Sequence, residues 1–133
     1  MPVFSSTSHS RLQTCHDDLQ RLFNEVVKHF DCVVLCGHRG RVLQNEYFTR
    51  GKTQVRWPDG KHNQRPSGAV DVAPYPVNWK DLNQFYFFGG VVKGIALQLD
   101  IQIRWGGDWD SDNQVKDNNF NDLVHFELFN PLQ

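Results

Sequence analysis

The sequence predicts a single α+β domain in which helices pack against a small antiparallel sheet. Helical and strand patterns are mixed along the chain without the regular strand–helix–strand rhythm of a parallel sheet. The segments 100–105 and 123–129 alternate apolar and polar residues, as half-buried strands do. A chain of 133 residues can bury one hydrophobic core without disulfide bonds, so we expect one domain over residues 1–133.

Three segments carry a helical pattern. The first is marked by apolar residues at helical spacing, namely Leu12, Cys15, Leu19, Leu22, Phe23, Val26, Val27 and Phe30. We expect Thr14 and Asp17 to form a capping box near its start. The segment "RVLQNEYFTRG" predicts a second helix that stops at Gly51. The segment "WKDLNQFYFFGGVVKGIALQL", capped by Asn78 or Asp81, is apolar nearly all round and predicts a central helix.

The remaining segments predict strands and two loops. "DCVVLCG" indicates a short buried strand, and "GAVDVA" indicates another that ends at Pro74. Residues 52–67 hold turn-forming residues without periodicity and predict a long surface loop, a feature that is usually functional in a compact domain. Residues 106–119 predict a polar loop before the last strand.

Composition narrows the class of protein. The formal net charge of -1 gives no electrostatic reason to expect a nucleic acid or an anionic membrane as a partner. The three cysteines, Cys15, Cys32 and Cys36, match no disulfide framework and indicate reduced thiols, mostly buried. No apolar run reaches the length of a membrane span, and the first 15 residues lack a secretory pattern. We therefore expect no membrane anchor and no signal peptide.

A carboxylate inside the apolar run 69–73 suggests a metal site. Asp71 is costly to bury unless something pairs with it, and the period of two places it with Ala69 and Ala73. If this strand lies beside the last one, Asp71 and His125 face the same space, and His62 can reach it from its loop. Two imidazoles and one carboxylate make an open zinc site, and Asp122 is placed to act as its general base. The pattern alone also fits a surface His62, a hydrogen-bonded Asp71 and a strand-face His125.

Several ordered motifs resemble a known family. "KHNQRPSGAVDVAP" and "DLVHFEL" resemble the zinc peptidases of the D-Ala-D-Ala carboxypeptidase and phage L-alanyl-D-glutamate endopeptidase family. "GHRGRVLQNEYFTRGKTQV" is similar to the upstream segment of that family, and "IRWGGDW" is similar to a stretch of its phage branch. The resemblance implies the small α+β fold that these peptidases share with hedgehog-like domains.

The same resemblance implies roles for individual residues. It implies one zinc ion bound by His62, Asp71 and His125, with Asp122 as the general base. Two more residues follow from the upstream segment: Arg39 would stabilise the oxyanion, and Gln44 would hold the substrate or Arg39. The sequence departs from the family pattern at Gly60, where serine is usual, and in a longer interval between the first two ligands. An Asp in the base position favours the endopeptidase branch.

Other residues near these motifs have competing interpretations. Glu127 competes with Asp122 for the role of base, and we favour a role in orienting a ligand histidine. Trp105 and Trp109 are expected to form a substrate-binding wall, or else to be edges of core aromatics. We interpret Cys32 and Cys36 as core residues and not as zinc ligands. The acids at 108, 110 and 112 resemble a calcium loop that lacks its later glutamate, so a solvated turn is preferred.

These observations predict a zinc peptidase that hydrolyses a peptidoglycan stem-peptide bond as a phage lysis enzyme. The L-Ala–D-Glu bond is the first choice, and D-Ala-D-Ala carboxypeptidase activity is the alternative. A second class of function is a non-catalytic binding domain in which zinc is structural. We expect a monomer that stays in the host cytoplasm until another protein opens the membrane, and that carries no separate wall-binding module.

Overall fold

The structure is a computed structural model that describes residues 2–115 and 122–129. The end of the predicted 106–119 loop, residues 116–119, lies outside the described residues. The helices are α1 (Ser6–Leu12), α2 (Asp17–His29), α3 (Arg41–Thr49) and α4 (Leu82–Gln98), with a 3-10 turn at Lys61–Asn63. The strands are β1 (Cys32–Cys36), β2 (Ala69–Pro74), β3 (Ile103–Gly106) and β4 (Asp122–Leu128).

The four described strands form one antiparallel sheet in the order β1-β2-β4-β3. The pairing of β2 with β4 places Asp71 directly opposite His125. The pairing of β3 with β4 places Arg104 opposite Glu127. The antiparallel α+β architecture predicted from the sequence is confirmed, and its central strand pair carries two of the three candidate metal ligands, Asp71 and His125.

One aromatic cluster joins the helices to the sheet. Phe126 of β4 contacts Phe23 of α2 edge-to-face, with ring centroids 5.4 Å apart, and Phe88 of α4 at 6.1 Å. Trp105 of β3 stacks on the same phenylalanine at 6.3 Å. A Cβ on Gly89 would lie 2.2 Å from the Trp105 ring, so only glycine lets α4 pack this closely. This packing holds β4 firmly from the face opposite its polar side chains.

The predicted first helix is two helices. The chain between them pairs with a distant loop, because His16 N–H donates to the Ser67 carbonyl at 2.9 Å and Ser67 N–H donates to the Thr14 carbonyl at 2.9 Å. Helix α2 then begins with His16 as its cap, since Nδ1 accepts from Asp18 N–H at 3.0 Å. The predicted capping box is wrong: the Thr14 hydroxyl donates instead to the Arg11 carbonyl at 2.7 Å.

The later helices follow the sequence more closely. Helix α3 ends before Gly51, whose φ of 74° suits glycine. Asp81 caps α4 by accepting from Gln84 N–H at 3.2 Å. Helix α4 packs against α2 and against β2, β3 and β4, while its outer face exposes Phe87 and Leu97 by 67% and 80%.

None of the described helices combines the length and the apolar character needed to cross a membrane.

Candidate active site

A cleft of about 870 Å³ lies over the polar side of the β2–β4 pair. Its lining includes every candidate residue that the sequence suggested except Trp105: Arg39, Gln44, His62, Asp71, Trp109, Asp122, His125 and Glu127. These residues come from segments scattered between positions 39 and 127, and the sheet pairing and the 3-10 turn bring them together. The cleft is the only place among the described residues where a metal-ligand set, a buried carboxylate and a buried arginine meet.

Three donor atoms form a compact triangle at the floor of the cleft. His62 Nε2 lies 3.1 Å from Asp71 Oδ1 and 3.3 Å from His125 Nδ1. The remaining side, between His125 Nδ1 and Asp71 Oδ1, is 3.4 Å. A tetrahedral ion with bonds of about 2.0–2.1 Å separates its ligands by about 3.3 Å. The triangle therefore fits three ligands of a small tetrahedral cation, with a fourth position facing the cleft.

Hydrogen bonds behind the triangle select the tautomer of each histidine. His62 Nδ1 lies 2.7 Å from the Gly37 carbonyl, which can only accept, so in the neutral ring the proton sits on Nδ1 and the lone pair on Nε2. His125 Nε2 lies 2.8 Å from Glu127 Oε1, which fixes the proton on Nε2 and leaves Nδ1 free. Both lone pairs thus point at the centre of the triangle. This arrangement of outer acceptors is typical of metal-binding histidines.

The carboxylate of Asp71 is oriented by Arg39. Arg39 Nη2 donates to Asp71 Oδ2 at 3.0 Å, so Oδ1 faces the histidines. Arg39 Nη1 donates to Gln44 Oε1 at 3.1 Å, and its guanidinium lies 4.6 Å from the centre of the Tyr47 ring. Gln44 is 1% exposed and donates in turn to the Val55 carbonyl at 2.6 Å. Of the two roles expected for Gln44, the geometry favours holding Arg39.

Asp122 reaches the cleft because β4 is irregular. In a regular strand, side chains three residues apart point to opposite faces, and Asp122 would face away from His125. The pairing with β3 shifts instead: Trp105 pairs with Phe126 and Gly106 pairs with Asp122. One side-chain donor atom of each of Asp71, Asp122 and His125 lies within 4.8 Å of the other two. A Cβ on Gly106 would lie 1.9 Å from the Asp122 carbonyl oxygen, so glycine is required where the strands meet.

Burial and charge shift the pKa values of the acids and histidines in the cleft. Burial, together with the charge of Asp71, raises the pKa of Asp122 to about 6. Burial disfavours a charged His62, but the charge and hydrogen bond of Asp71 outweigh it and raise the pKa of His62 to about 10. Burial would raise the pKa of Asp71, yet the neighbouring histidines hold it far below its usual range. In the metal-free chain a proton thus takes the place of a cation between His62 and Asp71.

The two tryptophans occupy different environments. Trp109 lines the cleft, with its ring centroid 5.4 Å from that of His125. Trp105 is 3% exposed, stacks on Phe126 and does not line the cleft. The expectation of a substrate wall formed by both residues is therefore corrected for Trp105, which is a core residue. The strand period carried this signal, because Trp105 shares a face with apolar Ile103.

Cys36 lines the cleft, so the expectation that it is a core residue is corrected. It is partly exposed, and one donor atom of each of Cys36, His62 and Asp71 lies within 4.8 Å of the other two. Burial raises the pKa of its thiol, but the hydrogen bond and charge of His62 outweigh this and lower it. Cys32, by contrast, is a buried core residue, as expected.

The acids that resemble a calcium loop form a folded turn. Asp108 is 1% exposed and pairs with Lys93 Nζ at 2.9 Å, so it is not solvated as expected. It also accepts from Asn113 N–H at 2.9 Å, which closes the turn. Asp110 and Asp112 are exposed. The turn holds Trp109 against the cleft, and its buried acid is neutralised by a lysine of α4.

Two cations beside Glu127, Arg104 and Lys61, were not predicted from the sequence. Glu127 Oε2 accepts from Arg104 Nη2 at 3.0 Å, and Lys61 Nζ lies 3.4 Å from the same oxygen. Burial would raise the pKa of Glu127, but the His125 hydrogen bond and these two positive charges lower it to about 2. Arg104 sits in an alternating strand whose pairing partner was not known, so nothing in the sequence linked it to Glu127.

The site as a whole brings together a candidate set of metal ligands, a partly buried carboxylate and a fixed arginine, the combination that metal-dependent hydrolases use. The family model described as phage L-alanyl-D-glutamate peptidase matches residues 2–129. The chain belongs to this family, and the expectations of a peptidase and of this family are confirmed.

Two individual proteins extend the comparison. The L-alanyl-D-glutamate peptidase of Escherichia phage T5 is 24% identical over 119 residues, covering 86% of each chain. The crystal structure of the Serratia marcescens L-Ala D-Glu endopeptidase ChiX matches with a TM-score of 0.73 and 23% identity. That match covers 96% of this chain and 90% of the other, and it confirms the fold.

Proposed function

We propose that this chain is a zinc peptidase that hydrolyses the L-Ala–D-Glu bond of the peptidoglycan stem peptide. In this proposal His62, Asp71 and His125 hold one zinc ion. The single observation that carries it is the triangle of donor atoms with sides of 3.1, 3.3 and 3.4 Å, with both histidine tautomers fixed from behind. Family membership supports the choice of bond.

Zinc is the cation that suits this donor set. Nitrogen and carboxylate ligands at tetrahedral spacing favour zinc over calcium or magnesium, which require more oxygen ligands. When bound, zinc supplies a Lewis acid that polarises a carbonyl and makes water acidic enough to react near neutral pH. Three protein ligands leave the position that such chemistry requires.

Asp122 is the proposed general base. In the metal-free chain, burial and the charge of Asp71 raise the pKa of Asp122 to about 6, so its carboxylate is a stronger base than that of an ordinary aspartate. It would take a proton from the attacking water and return it to the nitrogen of D-Glu as the peptide bond breaks. Glu127 is less suited to this role, because both of its oxygens are engaged by His125, Arg104 and Lys61.

Arg39 has two proposed roles. Its Nη atoms hold Asp71 and Gln44, and this fixes one metal ligand in place. These two bonds use two of the five N–H groups of the guanidinium, and the proposal assigns one of the others to the oxyanion of the substrate. Trp109 is the proposed wall for the peptide.

The partner and location follow from this activity. A peptidase of this family acts on peptidoglycan, and we propose that it serves phage lysis as a monomer that reaches the wall once another protein has opened the membrane. The charge balance supports no role in nucleic-acid binding. The whole chain would act as a single catalytic domain.

The first test is mass spectrometry of purified peptidoglycan after incubation with the zinc-loaded protein, with a chelated sample beside it. A zinc-dependent new amino terminus on D-Glu supports the proposal. Release of free D-alanine would indicate carboxypeptidase activity instead. If zinc stays bound and no bond is cut, the chain is a binding domain and the proposal fails.

A variant isolates the proposed base. Asp122→Asn keeps the shape of the side chain and removes the proton acceptor, so kcat should fall by about 10²–10⁴-fold. Zinc content should stay at one ion per chain, since Asp122 is not among the proposed ligands. Asp18→Asn on the surface of α2 is the matched control and should behave as the parent. Normal turnover by Asp122→Asn would show that the base is another group.

A further inference from the structure

The cleft is electrostatically asymmetric along β4. Asp122 and Glu127 lie on opposite sides of His125 along this strand, and each marks one end of the cleft. Asp122 lines the cleft and pairs with Gly106 of β3, so this end of the strand pair carries an acid. Arg104 lines it with Glu127, so the other end carries cations. The metal-ligand triangle lies between the two ends.

The cationic end carries more positive charge than its acid neutralises. Glu127 is the one carboxylate that pairs with Arg104 and Lys61 within residues 2–115 and 122–129. Its Oε1 is already occupied by His125, so both cations share Oε2. Two positive charges therefore face one negative charge, and the side chains of Arg104 and Lys61 are 35% and 34% exposed at the cleft.

Arg104 is held ready to bind an anion. Its Nε and Nη2 donate to Glu127 Oε2 at 3.3 and 3.0 Å, and its guanidinium lies 4.9 Å from the centre of the Phe129 ring. Nη1 has no hydrogen-bond partner in the part of the chain that the structure describes. Fixing two nitrogens and stacking the plane orders the side chain before a ligand arrives, which lowers the cost of binding.

We propose that Arg104, assisted by Lys61, binds the free α-carboxylate of the D-Glu residue on the amine side of the scissile bond. This inference rests on the proposed function. That carboxylate is attached to the carbon next to the scissile nitrogen, so it must lie close to the metal-ligand triangle. Arg104 pairs with Glu127, which is two residues along β4 from His125, or about 7 Å by the rise of a strand. A long arginine side chain spans such a distance.

The proposal makes the enzyme selective for one form of the stem peptide. An amide in place of this α-carboxylate makes the residue D-isoglutamine. A carboxamide has no charge and presents an NH₂ group to a site built from donors. A charge-assisted hydrogen bond contributes enough for about a 10- to 100-fold preference for the carboxylate form. Lys61 would add charge more than geometry, because it is a point cation.

The test compares two synthetic muramyl tripeptides that differ only in D-Glu or D-isoglutamine at the second position. The readout is the ratio of kcat/KM for the two substrates, measured with zinc-loaded parent, Arg104→Gln, Arg104→Lys and the remote control Arg21→Gln. We expect the parent and Arg21→Gln to prefer the carboxylate substrate by about 10- to 100-fold. In Arg104→Gln the ratio should fall to near one, mainly through a higher KM for the carboxylate substrate, and Arg104→Lys should recover part of it.

The outcomes separate this inference from the proposed function. If the parent cuts both substrates equally well, or if Arg104→Gln keeps the preference of the parent, Arg104 does not bind the carboxylate, although the peptidase activity stands. If the parent cuts neither substrate at the L-Ala–D-Glu bond, the proposed function fails and the inference fails with it. A purely structural effect of Arg104→Gln would lower both rates together and leave the ratio unchanged, which also overturns the inference.

Discussion

Replacing Glu127 with glutamine should weaken zinc binding even though residue 127 is not a proposed ligand. Glu127 Oε1 accepts the proton of His125 Nε2 at 2.8 Å, which keeps Nδ1 free. Glutamine has a single acceptor oxygen, and two groups compete for it. Arg104 and Lys61 both require an acceptor where Oε2 now lies, so the amide should turn its oxygen toward the cations and its NH₂ toward His125.

That orientation selects the wrong histidine tautomer. An NH₂ group facing Nε2 stabilises the form of His125 with its proton on Nδ1, where the metal must bind. Loss of such outer hydrogen bonds weakens metal binding by about 10- to 100-fold. In Glu127→Gln the tautomer of His125 is reversed and not merely left unfixed. We therefore expect zinc affinity to fall by the upper end of this range, about 100-fold or 2.7 kcal/mol.

The assay is competition for zinc between the metal-free protein and a chromophoric chelator at pH 7. Glu25→Gln is a matched control, since Glu25 also accepts from a histidine and pairs with a lysine, but on the surface of α2. Its zinc affinity should equal that of the parent. A zinc affinity of Glu127→Gln within about threefold of the parent would refute the tautomer argument.

Two further outcomes follow from the structure. His62 has its pKa raised to about 10 in the metal-free chain and must be neutral to bind zinc, so zinc binding at pH 7 should release at least one proton and strengthen as the pH rises toward 10. Calorimetry in buffers of different ionisation enthalpy measures this release, and a buffer-independent enthalpy would contradict it. Gly89→Ala places a Cβ 2.2 Å from the Trp105 ring and should lower the free energy of unfolding by about 1–3 kcal/mol. Gly90→Ala meets no neighbour within 4 Å and should raise it by up to about 1 kcal/mol, so urea titrations that rank the two variants equally would refute the packing argument.

The fold was predictable where local pattern decides local structure. Strand β2 was marked by its apolar run, and α4 by its length and by two candidate caps, Asn78 and Asp81, of which Asp81 is the cap. The break between α1 and α2 was not predictable, because it depends on two backbone hydrogen bonds, one from His16 N–H to the Ser67 carbonyl and one from Ser67 N–H to the Thr14 carbonyl. Nothing in the first 30 residues indicates that this segment pairs with Ser67. The helical spacing of apolar residues also continues across the break, so it predicts a single helix.

The part of the site that could be predicted from the residues is the part that follows from the two-residue period of a strand. The period of two put Asp71 on a face with small neighbours and allowed it to meet His125, although the pairing of their strands remained an assumption. The same period alone would have turned Asp122 away from the cleft, and only the irregular pairing of β4 brings it in. Arg39 was predicted only from the family resemblance. Its contact with Asp71 Oδ2 joins residues 32 positions apart in the sequence, so no local pattern indicates it.

Glu127 links the two functions proposed for this cleft. Oε1 holds the tautomer of the proposed metal ligand His125, while Oε2 holds the proposed carboxylate-binding Arg104. Removing Arg104 leaves Oε1 on His125 with a full acceptor, so Arg104→Gln should bind zinc within about threefold of the parent while losing substrate selectivity. Removing the Glu127 charge should disturb both functions. If Arg104→Gln instead released zinc as readily as Glu127→Gln, the two oxygens of Glu127 would act as one unit, and metal binding and substrate recognition could not be separated at this residue.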